Sequence, residues 1–136
     1  MTHYSIIYER LLNKITDYNF IKYSKEELEK ELNIKLQSAC ARFHNCSKLV
    51  NRNNEEQIFL DDLSDLEIEI LTCLLLLEWI SPMINNVQIL KQALGSKDFQ
   101  IYSQASHLKE LRMLQSSINK DVQYLMTKYS YIGLKV

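Results

Sequence analysis

Apolar residues crowd most densely between residues 63 and 94, and this stretch predicts the central helix of the fold. Ser64 stands where an N-cap residue would, and Glu67 three positions later completes a capping box. Apolar side chains then occupy nearly every face, so we expect this helix to be covered by protein on nearly all sides. The apolar run is too short to cross a membrane and is interrupted at Glu78, which favours a buried core helix.

Pro82 divides this central stretch. A proline inside a helix removes a hydrogen bond and clashes with the preceding turn. The pair Ser81-Pro82 also fits an N-cap followed by proline at the first helical position. The sequence therefore predicts either one kinked helix or two abutting helices, and Gly95 is well placed to end the second part.

Apolar residues spaced three and four apart predict further helices on both sides of the centre. These are Thr2–Ile15, a helix capped by Ser24 that ends near Phe43–Asn45, and a long helix over 103–130 capped by Ser103 or Ser106, followed by a mobile tail at 131–136. Two connections are less regular. Cys46–Asp62 contains turn-forming asparagines, and a short helix within Leu49–Phe59 remains open. Residues 96–103 fit either a short extended piece or an ordered loop.

The sequence thus predicts an all-α fold for a single domain, 1–136. We expect a small helical bundle of four to five helices, with a long central kinked helix (or helix pair) and a long C-terminal helix. Its parts would be the N-terminal helices and loop (1–62), the central helices (63–94), the C-terminal helix (103–130) and the tail (131–136). Two glycines and one proline among 136 residues disfavour a many-stranded β fold, because tight turns use both residues heavily.

Charge is distributed unevenly although the net charge is only −1. Residues 1–52 hold nine Lys/Arg and six Asp/Glu, residues 53–90 hold eight acids and no Lys or Arg, and residues 91–136 hold seven bases and three acids. Such blocks indicate solvated faces, or a polarised surface that meets a complementary one on a partner or on another copy. The three cysteines are odd in number and indicate reduced thiols, and the N-terminus lacks the pattern of a signal peptide.

Few residues suggest chemistry. Cys40, His44 and Cys46 form C-x3-H-x-C, but zinc would need a fourth ligand, so two small helix residues beside a polar histidine are the better interpretation. Glu78 lies in an apolar stretch, so it either reaches solvent or pairs with Arg or Lys from another helix or subunit, and we favour the pairing. No Gly-rich phosphate loop or nucleophile elbow is present. We therefore expect a protein that is not an enzyme and that has no metal or cofactor.

Two other groups of charged residues are candidate functional sites. The first is a group of acids that we expect to form a solvated face: Asp61, Asp62, Asp65, Glu67 and Glu69. The second is a sparse set of bases on the last predicted helix, without a recognisable recognition helix for duplex DNA: Lys109, Arg112, Lys120 and Lys128.

About half of the chain, 63–131, resembles a known family. It runs through LSDLEIEIL, LLLEWISPMINN, LGSKDFQIYSQASHLKELRML and a closing helix that ends in KYSYI. The more specific parts are E-W-[IL]-x-P and D-F-x-x-x-S-x-A-x-H-L. These segments resemble the small helical head–tail connector proteins (adaptor or head-completion proteins) of tailed bacteriophages that infect low-GC bacteria.

The resemblance implies a structural virion protein of the phage neck, made in the bacterial host cytoplasm. It would form a ring, commonly of twelve copies, that joins the portal protein to the next neck or tail protein and extends the DNA channel. DNA would pass without sequence-specific binding, and no membrane is involved. Neighbours in a ring meet through two different faces, which a polarised chain can supply. The acidic segment 53–90 would either form part of the contact between neighbouring copies or line the channel.

Site residues follow from exposed aromatics and from loop position. The C-terminal residues Tyr129, Tyr131 and Ile132 are expected to bind the portal. Phe99, Ile101, Tyr102 and Glu78 are expected at the subunit interface. The alternative function is a small helical regulatory or partner-binding protein, with nucleic acid as one candidate target.

Overall fold

Four α-helices and a small sheet make up the part of the chain that the structure describes. The computed structural model describes residues 1–14, 25–94 and 100–134, with side chains defined except at 25, 83, 85–94, 100–107 and 133–134. The elements in chain order are β1 (Thr2–His3), α1 (Tyr4–Lys14), α2 (Lys25–Arg42), a 3-10 helix (Ser47–Val50), β2 (Arg52–Asn53), β3 (Ile58–Phe59), α3 (Asp65–Leu94) and α4 (Gln100–Leu134).

The sheet is the departure from an all-α fold. Its strand order is β1-β3-β2, and both pairings are antiparallel, with Phe59 opposite Thr2 on one side and Arg52 on the other. The prediction of a helix from Thr2 is therefore wrong for the first two residues, because they pair with a strand far away in sequence. A helix within Leu49–Phe59 is replaced by a 3-10 turn and a hairpin.

The central helix α3 begins where its capping signal predicted. Ser64 N donates to Glu67 Oε1 at 2.8 Å, and Glu67 N donates to Ser64 Oγ at 3.2 Å, which satisfies two backbone donors at the helix start. The helix continues through Pro82 to Leu94 as one element. Ser81 is therefore no N-cap, and its hydroxyl donates instead to the carbonyl of Leu77 at 2.8 Å.

The core is centred on α3, which packs against α1, α2 and α4. The expectation that α3 is covered on nearly all sides is confirmed from Ile68 to Ile80, where most apolar side chains are buried. Removing each such side chain from water contributes roughly 1.5–3 kcal/mol to stability. One core cluster includes residues of all four helices, among them Ile7, Leu36, Leu75 and Leu111.

Helix α4 runs antiparallel to α3 and is longer than predicted. It begins at Gln100, so Ser103 and Ser106 lie inside it rather than at its cap, and it continues to Leu134 through most of the predicted tail. Two hydrogen bonds fix its register, Gln115 Nε2 to Ser81 Oγ at 3.4 Å and Tyr129 OH to Glu67 Oε2 at 2.7 Å. Gln115 and Tyr129 are as far apart along α4 as Ser81 and Glu67 are along α3, as expected for an antiparallel pair of helices.

The second helix, α2, ends at Arg42, slightly before the predicted end at Phe43–Asn45. Its proposed cap, Ser24, lies outside the described residues, as do Ile15 at the predicted end of the first helix and Gly95 after α3.

Candidate protein-binding surfaces

A buried carboxylate lies at the start of α3. Glu67 is 2% exposed, and its Oε1 accepts hydrogen bonds from Ser64 N at 2.8 Å and Lys48 Nζ at 3.0 Å. Its Oε2 accepts from Tyr129 OH at 2.7 Å and Cys46 Sγ at 3.3 Å. The expectation of a solvated acidic face is therefore wrong for Glu67, which joins the loop before α3 to the C-terminal end of α4.

The four donors decide the protonation state of Glu67. Burial by itself raises the pKa of this carboxyl group, but the hydrogen bonds from Ser64, Tyr129, Lys48 and Cys46 outweigh burial and hold the pKa at about 2. Burial and the contact with Glu67 raise the pKa of Tyr129. A carboxylate that stays ionised with its oxygens engaged is poorly suited to accept a proton near neutral pH, so the arrangement favours a structural role.

Tyr129 is a structural residue of this network rather than part of a free surface. Its ring packs edge-on against Phe43, with ring centroids 5.1 Å apart, while its hydroxyl group is bound to Glu67. The neighbouring Ser130 hydroxyl accepts a hydrogen bond from Asn45 Nδ2 at 3.2 Å. Of the three residues predicted to bind the portal, Tyr129 is therefore already engaged within the chain.

Tyr131 and Ile132 lie on the exposed side of α4, where they are 64% and 51% exposed. Together with Tyr124, Thr127 and Lys128 they line an open groove of about 360 Å³. Tyr124 is itself 69% exposed. Because all five residues belong to one helix, the groove is a preformed surface that presents aromatic and aliphatic side chains around a single cation.

The residues predicted at a subunit interface are only partly described. Phe99 lies outside the described residues, and Ile101 and Tyr102 belong to α4 by their backbone while their side chains lie outside them. Glu78 Oε1 lies 3.4 Å from Arg42 Nε of α2. The expected pairing of Glu78 with a base of another helix is thus observed within one chain.

A second ionic cluster joins α1 to α3. Glu69 lies 2.7 Å from Lys14 Nζ and 3.2 Å from Arg10 Nη1, and Arg10 also lies 3.6 Å from Asp65. Burial raises the pKa of Glu69, and the two cations outweigh it and lower the pKa below its ordinary value. No local pattern signals these pairs, because they depend on how α1 packs against α3.

The C-x3-H-x-C sequence does not assemble into a metal site. Cys40 and Cys46 are buried, Cys46 donates to Glu67, and His44 Nδ1 lies 3.4 Å from the carbonyl of Arg42. Across residues 1–14, 25–94 and 100–134, no group of three or more His, Cys, Asp or Glu side chains is arranged to hold a metal ion.

Comparison with protein-family models, with curated proteins and with solved structures finds no match to this chain. Within the described residues, every helix falls short of the length or apolar character needed to cross a bilayer.

Proposed function

We propose that this protein is a structural component of the neck of a tailed bacteriophage. It would form a ring that joins the portal to the next neck or tail protein and extends the DNA channel. The observation that carries the proposal is the exposed groove on α4, whose residues Tyr124, Tyr131 and Ile132 stand on a rigid helix. The resemblance of 63–131 to head–tail connectors indicates which partner to test first.

The groove suits a protein partner physically. Aromatic side chains bury large areas at a low entropic cost and dominate many protein interfaces. Here the backbone that carries Tyr131 and Ile132 is held in place, because Tyr129 and Ser130 tie the same part of α4 to Glu67 and Asn45. A partner that covers Tyr131 and Ile132 would therefore meet an organised surface, which reduces the entropy lost on binding.

In this proposal the ring contains several copies of the chain, twelve in related assemblies, and Phe99, Ile101, Tyr102 and Glu78 remain the proposed subunit contacts. The acidic stretch 53–90 would meet a neighbour or line the channel, where like charge would limit DNA adhesion. Assembly would follow synthesis in the host cytoplasm.

The test is binding to assembled rings of a phage portal protein, measured by co-sedimentation. Replacing Tyr131 and Ile132 together with serine is expected to weaken binding by tenfold or more while the helical circular dichroism stays unchanged. The matched control is Ile34→Ser on α2, where the isoleucine is 66% exposed. Equal binding by the double variant and the wild type would remove the groove from the interface, and wild-type protein that ignores portal rings would end the proposal.

A second candidate function is a small helical partner-binding protein that acts on nucleic acid. The observation that favours it is the row of exposed cations on α4: Lys109, Arg112, Lys120 and Lys128. Duplex DNA affinity that falls steeply with salt, and that falls further when these residues are replaced by glutamine, would support it.

A further inference from the structure

An exposed apolar and acidic surface lies on the β2–β3 hairpin. We call it the hairpin patch and define it as Val50, Glu55, Glu56 and Leu60. Val50 and Leu60 are 77% and 59% exposed, and Leu60 N donates to the carbonyl of Asn51 at 2.9 Å, so the two apolar residues lie on neighbouring segments. In the described part of the chain, neither glutamate has an ion-pair partner.

The bases nearest in sequence to the hairpin patch are engaged elsewhere. Lys48 Nζ binds the buried Glu67, and Arg52 donates to Gln37 Oε1 at 2.9 Å and to the carbonyl of Leu49 at 2.7 Å. The negative charge of Glu55 and Glu56, in the turn of the hairpin, is therefore left facing solvent.

A surface of opposite charge lies on α4. We call it the helix patch and define it as Lys109, Arg112, Met113 and Lys120. At 3.6 residues per turn these four residues fall within an arc of about 100° on one side of the helix. Met113, at one edge of this arc, is 64% exposed. Over residues 1–14, 25–94 and 100–134 its three cations form no ion pair.

The two patches of one molecule do not pair with each other within the described residues, since no ion pair joins Glu55 or Glu56 to a cation of the helix patch. The hydrogen bond between Gln115 and Ser81 places the middle of the helix patch beside Ser81 of α3. The charges of both patches therefore remain available to a second molecule.

We infer that the hairpin patch of one molecule docks on the helix patch of a second copy of this chain. The two surfaces are complementary in charge, and each includes exposed apolar side chains that the other would cover. Because the patches differ, the contact is head-to-tail, and repeating it gives a closed ring or an open filament. The proposed ring already requires contact between copies, and the inference adds the two surfaces that would meet; it is argued from the charges and exposure of these residues and does not depend on the neck function.

Sedimentation velocity of the full chain, without any portal protein, tests the inference. We expect concentration-dependent association at low salt that weakens as salt rises. Reversing the hairpin patch (Glu55→Lys with Glu56→Lys) or the helix patch (Lys109→Glu, Arg112→Glu and Lys120→Glu) should each lower the association constant by about tenfold or more. An equimolar mixture of the two variants should associate again, because each then offers the charge that the other lacks.

The matched control is Glu9→Lys with Glu31→Lys, which reverses two exposed acids outside both patches and should leave association unchanged; circular dichroism checks the fold of every variant. A wild-type chain that stays monomeric at low salt up to its solubility limit would overturn the inference, and so would a mixture that fails to associate. If the helix-patch variant loses affinity for DNA but self-associates as the wild type does, the helix patch binds nucleic acid and the inference is also wrong. Self-association without portal binding would instead count only against the neck proposal.

Discussion

The hydroxyl group of Tyr129 donates to Glu67 Oε2 at 2.7 Å, and this bond joins the last turns of α4 to the first turn of α3. The two residues are 62 positions apart, and the same carboxylate also binds Lys48 and Cys46 from the preceding loop. Three separate parts of the chain therefore meet at a single buried charge, whose removal should loosen all of them.

Replacing Glu67 with glutamine is expected to lower the free energy of unfolding by about 2 kcal/mol at neutral pH, since Lys48 and Tyr129 lose a charged acceptor. Because the folded-state pKa of about 2 lies below the ordinary value of 4.5, the stabilisation is present above about pH 5 and is lost as the pH falls from 4.5 towards 2. Urea unfolding at several pH values measures this. Below about pH 5 the free energy of unfolding should fall less with pH in the Glu67→Gln variant than in the wild type. The control Glu110→Gln, on the exposed side of α4, should show the pH dependence of the wild type.

Tyr129→Phe isolates the hydroxyl group, because the ring can still pack against Phe43. We expect a loss of about 1–2 kcal/mol in unfolding free energy. Tyr131→Phe is the matched control, since Tyr131, two residues further along α4, is 64% exposed, and it should change stability by less than about 0.5 kcal/mol. Equal stability of the two variants in denaturant titrations would contradict the role given to the hydrogen bond with Glu67.

Gln57 has a positive φ of 57° in the hairpin turn, and its carbonyl accepts from Tyr4 N at 2.9 Å. A β-branched residue is disfavoured there, so Gln57→Val should destabilise the protein by about 1–2 kcal/mol. Gln57→Gly should be neutral or slightly stabilising, because glycine adopts this conformation without a Cβ penalty. The control is the neighbouring Glu56, where φ is not positive. There the order should reverse, with Glu56→Gly less stable than Glu56→Val. Thermal unfolding of the four variants measures both differences.

The three thiols should react slowly in the folded protein. Burial raises the pKa of Cys40 and of Cys73 to about 11, and it raises the pKa of Cys46 as well. The thiolate is the reactive form, so a disulfide reagent at neutral pH should label none of them quickly, and all three should react at once after denaturation. Rapid labelling of a native thiol would show that its site opens to solvent. Timed absorbance of the released chromophore measures both rates.

Much of the helical framework is encoded locally. The capping box of Ser64 and Glu67 predicted the start of α3, and apolar spacing predicted α1, α2 and α4 to within a few residues, because both signals act over one or two turns. The ends of α4 were missed. Gln100 and Leu134 lie where the apolar period fades. The alternation of Phe99 and Ile101 with polar residues suggested a short extended piece or an ordered loop over 96–103, whereas α4 begins at Gln100.

Among the candidate binding residues, the sequence analysis assigned Tyr129 to the same surface as Tyr131 and Ile132, although the structure turns Tyr129 inwards. Periodicity alone puts Tyr129 one turn after Leu125 on the apolar side of α4, and that signal would have found it. Portal binding by Tyr131 and Ile132 stays a prediction.

The sequence by itself determined which segments are helical and which helix is most deeply buried, since helix formation and capping depend on neighbours only a few residues apart. Only the tertiary structure decided that Thr2 pairs with Phe59, that Glu67 is a buried anion and that Glu78 meets Arg42. Each of these outcomes joins residues distant in sequence. Their energies depend on burial and approach, which no local pattern records.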